Sequence, residues 1–202
     1  MAEHNRLTKA GRPYRLRARA AAMDQTRARI TRAAVELHGI IGPAATTMSA
    51  VAERAGVTRA TLYRHFPNEE ALFTACSADW LAASPRPDPS GWAAVADPAR
   101  RLGVALAELY AYYRATERMR TNLLRDIAAI PERFRPGIAA FPPTTVQVLE
   151  AGWPGPSGVR LRRAAIGHAV GFETWRSLAK EGLTDEEAAG LMSRFVTCVG
   201  PR

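Results

Sequence analysis

The sequence predicts an all-α protein in which an N-terminal three-helix helix-turn-helix domain is followed by a larger helical domain. Three observations support this fold class. Apolar residues recur three and four positions apart over most of the chain, which is typical of amphipathic helices. Two short helical patterns flank Gly56, as in a helix-turn-helix motif. A proline-rich stretch at residues 84–98 then separates this motif from the remaining helices.

Composition indicates a globular protein with an anionic partner. The 202 residues are 47% hydrophobic, and the formal net charge is +9 with a pI of about 10.5. Residues 1–32 hold nine basic residues and only two acidic ones, so much of the charge precedes the motif. We expect no membrane association, because no apolar run approaches the roughly 18 residues of a membrane span. Cys76 and Cys198 are too isolated to predict a disulfide framework or a zinc site.

Four segments follow from these patterns. Residues 1–22 lack apolar periodicity and are expected to form a basic flexible arm, which either contacts phosphates or is a solvated tail. Residues 23–83 form the helix-turn-helix domain together with a connecting fourth helix. Residues 84–98 are predicted to be a loop, and residues 99–202 a second helical domain. The first helix should run from Asp24 to about Ile41, with this buried stripe: Ile30, Ala33, Ala34, Leu37 and Ile41.

The motif itself is predicted from local signals. Thr47 can cap a helix that starts at Met48, and Gly56 can adopt the left-handed conformation that ends it. Thr58 can cap a second helix, Arg59–Phe66, whose Leu62 and Phe66 would face inward. Its outward face combines hydrogen-bond donors with an aromatic ring, which is typical of a helix that enters a major groove. This face contains Arg59, Thr61, Tyr63, Arg64 and His65. The alternative is a pair of core helices with a solvated basic face.

Beyond the motif the predicted elements are helices with less specific signals. Pro67 ends the second helix of the motif, and Asn68 can cap a fourth helix from Glu69 to about Ala83. Further helices are expected at 99–116, 117–130, 159–182 and 185–199. The helix at 159–182 carries a heptad seam, which fits either a subunit interface or an intramolecular core. The seam comprises Leu161, Ala165, His168, Phe172, Trp175 and Ala179.

The stretch GPAATTMSAVAERAGVTRATLYRHFPNEEALF, with an amphipathic helix before it, resembles the DNA-binding domain of the TetR family of bacterial transcriptional regulators. The resemblance covers roughly Asp24 to Ala83. It implies that Arg59 and Thr61 reach base edges, that Tyr63 and His65 contact phosphates, and that Arg64 serves either role. The full implied DNA-binding set is Thr47, Ser49, Thr58, Arg59, Thr61, Tyr63, Arg64 and His65.

One residue departs from the family's pattern. Many similar proteins have a basic residue at the phosphate-facing start of the fourth helix, where this chain has Glu69. A carboxylate there suits the helix dipole but repels phosphate. We therefore expect that contact to be lost, with the basic N-terminal segment supplying attraction instead.

The resemblance also implies a homodimer and a small-molecule pocket in the second domain. The dimer would form from the two C-terminal helices, with Leu161, Ala165, Phe172, Trp175, Leu191 and Phe195 at the interface. The pocket candidates are Tyr110, Tyr113, Phe134, Phe141 and His168, and ordinary core packing is the alternative role for each of them.

Together these inferences predict a cytoplasmic bacterial repressor that binds a palindromic operator as a dimer and is released by a small-molecule effector. The alternatives are an activator or effector-independent regulator of the same fold, and a helical ligand-binding or interaction protein without specific DNA binding. Glu69 motivates the last of these. An enzyme, a metal site and a cofactor are not expected, because the four histidines are scattered and no catalytic motif occurs.

Overall fold

The computed structural model describes residues 7–140, 143–153 and 158–199, with side chains from Tyr14 onward. Every regular element in these ranges is a helix, so the predicted all-α class is confirmed. None of the helices described has both the length and the apolar character needed to cross a bilayer. The chain divides into two compact units, Met1–Ala83 and Ser84–Arg202, and each is described by itself.

Four helices build the first unit. They are α1 Leu7–Ile40, α2 Met48–Arg54, α3 Arg59–His65 and α4 Glu69–Ala83. α1 packs against both α2 and α4, and a short 3-10 turn at Pro43–Ala45 leads from α1 into α2. The side chains of Ile30, Val51, Leu62 and Phe66 have no exposed surface and form the centre of this unit. A single small core therefore holds all four helices together.

The start of α1 differs from the prediction. The sequence predicts a flexible arm over residues 1–22 and a helix from Asp24, whereas α1 begins at Leu7, and residues 1–6 lie outside the described part. Every side chain from Tyr14 to Gln25 is exposed, so packing does not hold this part of α1. Its alanines and arginines are strong helix formers, and they extend a helix that is already nucleated by packing. The prediction is wrong here because an apolar stripe reports packing and not helix propensity.

The end of α1 also differs in one residue. Ile41 is predicted to complete the buried stripe, but α1 ends at Ile40 and the side chain of Ile41 is exposed. Thr31 and His38 are buried on α1 instead. Thr31 tolerates burial because its hydroxyl donates a hydrogen bond to the carbonyl of Arg27 over 3.1 Å.

His38 lies against α4 in a neutral environment. Its ring centroid is 5.6 Å from that of Phe73, and its Nδ1 is 3.7 Å from the Sγ of Cys76. Burial lowers the pKa of His38 from 6.5 to about 4, and burial raises the pKa of the Cys76 thiol to about 12. Both groups are therefore uncharged at neutral pH, which agrees with a structural thiol at position 76.

Seven α-helices build the second unit. They are α5 Pro89–Ala93, α6 Pro98–Arg125, α7 Arg135–Ala139, α8 Pro143–Glu150, α9 Val159–Ala169, α10 Phe172–Lys180 and α11 Asp185–Cys198, with 3-10 turns at Ile127–Ala129 and Glu132–Phe134. α6 runs through the centre and packs against α11, α5, α8 and α10. The fully buried side chains of Trp92, Leu106, Tyr113, Ile166 and Trp175 contribute to one hydrophobic core.

The segment 84–98, predicted to be a loop, contains the short helix α5. Asp88 caps it by accepting a hydrogen bond from the amide of Ser90, and Pro89 occupies the first helical position, where its missing N–H costs nothing. Trp92 of α5 is buried, and its indole N–H donates to Glu108 Oε2 over 2.7 Å. Prolines that predict a loop can thus also begin a helix.

α6 is a single helix where the sequence predicts two, at 99–116 and 117–130. The buried face continues through the predicted boundary at Thr116, which is buried with its hydroxyl donating to the carbonyl of Tyr112 over 2.6 Å. A threonine interrupts the apolar pattern in the sequence, but it does not interrupt the helix, because the backbone satisfies its hydroxyl.

The predicted long helix at 159–182 is instead two helices, α9 and α10, with Val170 and Gly171 between them. The break leaves carbonyl groups at the end of α9 without helical partners, and two tyrosine hydroxyls of α6 satisfy them. Tyr110 donates to the carbonyl of Ala169 over 2.7 Å, and Tyr113 donates to that of Val170 over 2.5 Å. The sequence could not predict this break, because the groups that stabilise it lie more than 50 residues away.

Acid should destabilise the first unit through His38. The unfolded chain binds a proton at this residue near pH 6.5, whereas the folded chain binds it only near pH 4. The free energy of unfolding should therefore fall as the pH drops from about 6.5 towards 4, by about 2 kcal/mol between pH 7 and pH 5. Urea denaturation followed by circular dichroism should show a smaller pH dependence in the full chain carrying His38→Gln.

The matched control is His168→Gln, which removes an exposed histidine from the second unit and should leave the wild-type pH dependence unchanged. If wild type and His38→Gln lose the same free energy of unfolding over this pH range, His38 is not the group responsible.

Candidate nucleic-acid interface

Local hydrogen bonds define the turn between α2 and α3. The hydroxyl oxygen of Thr47 accepts from the amide of Ala50 over 3.1 Å, and that of Thr58 accepts from the amide of Thr61 over 3.2 Å. Between the two helices Gly56 has a φ of 63°, a left-handed conformation that disfavours other residues. The two predicted caps and the predicted glycine conformation are confirmed.

One face of α3 is fixed in the core. Leu62 and Phe66 have no exposed surface, as predicted, and the amide of Phe66 donates to the carbonyl of Leu62 over 2.9 Å. A helix of seven residues is too short to be stable alone in water, so these anchors determine the orientation of α3.

The opposite face of α3 is polar and accessible. Arg59, Tyr63 and Arg64 are exposed, Tyr63 to 40% of its surface, while Thr61 and His65 are half-buried. The guanidinium carbon of Arg59 lies 6.0 Å from the centre of the Tyr63 ring. The structure thus brings these five residues together, and their contact with DNA stays a prediction.

The other predicted contacts lie at helix starts. Thr47 and Ser49 are exposed where α2 begins, and Thr58 is exposed where α3 begins. The hydroxyl of Thr58 donates to Thr61 Oγ1 over 3.0 Å, so it orients a neighbour on the outward face. All eight residues of the predicted DNA-binding set therefore belong to the α2–α3 motif or its caps.

Arg27 of α1 is a residue that the sequence argument placed outside the core without giving it a role. Its Nη1 donates to the carbonyl of His65 over 2.8 Å, and its guanidinium carbon lies 4.2 Å from the centre of the Phe66 ring. Arg27 therefore holds the C-terminal end of α3 by a hydrogen bond and a cation–π contact. Only tertiary structure reveals this contact, because residues 27 and 65 are distant in sequence.

The environment of His65 restricts its role. Burial lowers the pKa of His65 below its usual 6.5, and the positive charges of Arg64 and Arg27 lower it further. At neutral pH the ring is therefore uncharged and can donate one N–H to an acceptor. Any phosphate contact of His65 would be a neutral hydrogen bond, and positive charge would have to come from the arginines.

Glu69 is the exposed first residue of α4, where its charge suits the helix dipole. The side-chain oxygen of Asn68 accepts from the amide of Ala71 over 2.8 Å, which confirms the predicted cap. Positive charge is concentrated on α1 instead, where five arginines are exposed. They are Arg15, Arg17, Arg19, Arg29 and Arg32.

The second unit does not gather the predicted pocket residues around one space. Tyr110 and Tyr113 are fully buried and hydrogen-bonded to the α9–α10 break, so they serve the core. Phe134 is half-buried beneath the guanidinium of Arg133, 4.7 Å from its ring centre. His168 is exposed, and Phe141 lies outside the described residues.

The predicted interface residues separate into two groups. Ala165, Phe172 and Trp175 are buried in the core of the second unit, which corrects their placement on a subunit surface. Their burial follows from the α9–α10 break, which turns α10 away from the line of α9. Leu161, Leu191 and Phe195 are exposed, to 58%, 39% and 46% of their surfaces.

Residues 30–76 match the family model described as bacterial regulatory proteins, tetR family. No curated protein matches the chain. Two solved structures resemble the whole fold, each with 20% sequence identity. A TetR-like transcriptional regulator from Rhodococcus sp. RHA1 has a TM-score of 0.58 over 85% of this chain and 93% of that chain. NalD, the secondary repressor of the MexAB-OprM multidrug efflux pump in Pseudomonas aeruginosa, has a TM-score of 0.55 over 89% and 98% of the two chains.

At 20% identity these structures speak for the fold alone. The family model matches the part of the chain that contains α2, α3 and most of their core, and this match carries the identification. By the motif, the model that matches it and the fold around it, the protein belongs to the TetR family of bacterial transcriptional regulators.

Proposed function

We propose that this protein is a homodimeric repressor in the bacterial cytoplasm, which binds a palindromic operator and is released by a small-molecule effector. The observation that carries DNA binding is α3: its apolar face is locked in the core while Arg59, Tyr63 and Arg64 are presented outward. A helix with this division can enter the major groove without unfolding any part of the domain.

The polar residues divide by the contacts that they can make. Arg59 stands at the start of α3, where recognition helices touch base edges, and its planar guanidinium can donate two hydrogen bonds to guanine. Tyr63, Thr47 and Ser49 carry hydroxyls suited to phosphate oxygens, which fix orientation but not sequence. We therefore assign specificity mainly to Arg59 and positioning to the hydroxyls.

Electrostatic attraction would come from α1 rather than from the start of α4. Glu69 opposes a phosphate at α4, whereas the exposed arginines of α1 offer positive charge on a helix that no core residue covers. Contacts of these arginines with the DNA backbone would make the affinity strongly salt-dependent. This compensation is why we favour a DNA-binding regulator over a helical interaction protein without specific DNA binding.

Dimerisation is supported by an exposed apolar face of the second unit. Leu161 and His168 lie seven residues apart on α9, and Leu191 and Phe195 lie four apart on α11. The His168 and Phe195 rings meet edge to face with centroids 6.3 Å apart, so the two pairs form one continuous surface. Exposed apolar residues gathered in this way are typical of a subunit interface. A two-fold axis would use this surface twice.

Repression would follow from occupancy. A dimer on two half-sites about one helical turn apart covers promoter DNA that polymerase needs. An effector bound in the second unit would favour a form whose α3 helices no longer match that spacing, and so would release the DNA. NalD, which has this fold, is a repressor.

Arg59→Ala should weaken binding to a DNA site selected from genomic fragments. Loss of a bidentate contact to guanine costs about 1–3 kcal/mol, or roughly 10- to 150-fold in affinity, and nonspecific DNA should lose much less. Tyr63→Phe, which removes only the hydroxyl, should weaken specific and nonspecific binding alike. Fluorescence anisotropy with the selected site and a scrambled site measures both effects.

Arg118→Ala is the matched control, since it removes an exposed arginine of the second unit. The assignment of Arg59 fails if this control and Arg59→Ala bind the selected site equally well.

Charge on the exposed apolar face should separate the subunits. Phe195→Glu and Leu161→Glu would each place two carboxylates near a two-fold axis, so the variants should sediment as monomers at concentrations where the wild type is dimeric. Analytical ultracentrifugation measures this directly. Leu81→Glu, which changes an exposed leucine of α4 in the first unit, should remain dimeric. A monomeric wild type, or dimeric Phe195→Glu and Leu161→Glu, contradicts the proposed interface.

A further inference from the structure

Two arginines of the second unit have buried donors without acceptors. The Nε atoms of Arg86 and Arg120 are inaccessible to solvent, and neither has a hydrogen-bond partner among the described residues. A buried N–H without an acceptor is costly, and native proteins rarely retain one without a ligand, ion or water to receive it. Both arginines therefore need an explanation beyond packing.

Arg120 lies in an aromatic enclosure. Its guanidinium carbon is 5.0 Å from the ring centre of Tyr113, 5.1 Å from that of Phe172 and 5.9 Å from that of Tyr112. Ring faces attract the positive charge, but they do not accept the in-plane N–H hydrogens as a carboxylate does. The enclosure thus holds Arg120 in place and leaves its donor edge available.

Arg86 brings a second positive charge to the same aromatic group. Its Nη2 donates to the carbonyl of Gly137 over 2.7 Å, which fixes the side chain beside α7. Burial raises the pKa of Tyr113, and the charges of both Arg120 and Arg86 oppose that rise. Both guanidinium groups therefore act on one phenol, whose own hydroxyl already donates to the carbonyl of Val170.

No carboxylate of the described residues neutralises this pair. Ion pairs in the second unit engage other arginines, among them Arg176, whose Nε is 3.2 Å from Glu173 Oε2 and whose guanidinium also faces the Phe172 ring at 5.9 Å. Arg176 is thus a neutralised neighbour at the same enclosure. Arg86 and Arg120 form no ion pair within the described part of the chain.

We propose that Arg86 and Arg120 bind the carboxylate of an organic acid with an aromatic body, and that this acid is the effector. The proposal rests on the proposed function, in which the second unit binds a small molecule. A planar carboxylate can accept from the Nε and Nη hydrogens of a guanidinium together. The rings of Tyr112, Tyr113 and Phe172 suit an aromatic body better than an aliphatic or polar one.

The position of Arg86 gives such a ligand a route to regulation. Arg86 lies three residues after Ala83, the last residue of α4, in the segment that leads from the first unit into α5. An acid held by both Arg86 and Arg120 would restrain this segment against α6. Ligand binding would thereby change the freedom of the connection between the DNA-binding unit and the rest of the chain.

Isothermal titration calorimetry of the full chain without DNA tests the site. The probes are phenylacetate and 3-phenylpropionate, their neutral amides, acetate and inorganic phosphate. At least one aromatic carboxylate should bind about tenfold or more tightly than its amide, because only the anion satisfies the two arginines. Acetate, which lacks the aromatic body, should bind more weakly than that carboxylate.

Variants locate the binding. Arg120→Met and Arg86→Met should each weaken carboxylate binding about tenfold or more, whereas Arg118→Met, an exposed arginine on α6, should not. Circular dichroism melts report whether each variant is folded. Arg120→Lys, which keeps the charge, should retain part of the affinity. The comparison of acid with amide in the wild type needs no variant.

Three results overturn the proposal. They are equal affinity for an acid and its amide, no binding of either aromatic acid, and inorganic phosphate binding as tightly as the acids. DNA binding is measured separately, so a protein that binds a selected DNA site but does not prefer the acids keeps the proposed function and loses this site.

Discussion

The DNA-binding surface depends on the burial of Leu62 and Phe66. These two side chains occupy the core of the first unit, and the short helix α3 has no other strong hold on it. Seven residues do not form a stable helix in isolation, so the outward positions of Arg59 and Tyr63 exist only because the opposite face is fixed. Thr58 at one end and Arg27 at the other then limit the remaining freedom of the helix.

The same constraint explains how sequence and structure agree in this region. Thr47, Gly56 and Thr58 act through bonds to residues within a few positions, and a local signal of this kind can be recognised in a sequence. The contact of Arg27 with His65 and Phe66 is not local, and nothing in the pattern of α1 distinguishes Arg27 from Arg29 or Arg32. The helical extension of α1 was missed for a different reason, since it depends on propensity and not on a buried face.

In the second unit the informative contacts are distant in sequence, and prediction was correspondingly poorer. The seam at 159–182 has heptad spacing, yet α9 ends at Ala169 because hydroxyls from α6 satisfy its terminal carbonyls. The break sends Phe172 and Trp175 into the core and leaves Leu161 on the surface. Arg86 and Arg120 attract no attention in the sequence, because the absence of a partner is visible only once every neighbour has been placed.

The central claim is that α3 enters the major groove at two half-sites. Dimethyl sulfate footprinting on a DNA site selected from genomic fragments tests it directly, because this reagent methylates guanine N7 in the major groove and adenine N3 in the minor groove. We expect two clusters of protected guanines about one helical turn apart, lost with Arg59→Ala. Protection confined to adenine N3, or a single protected cluster, would contradict this account.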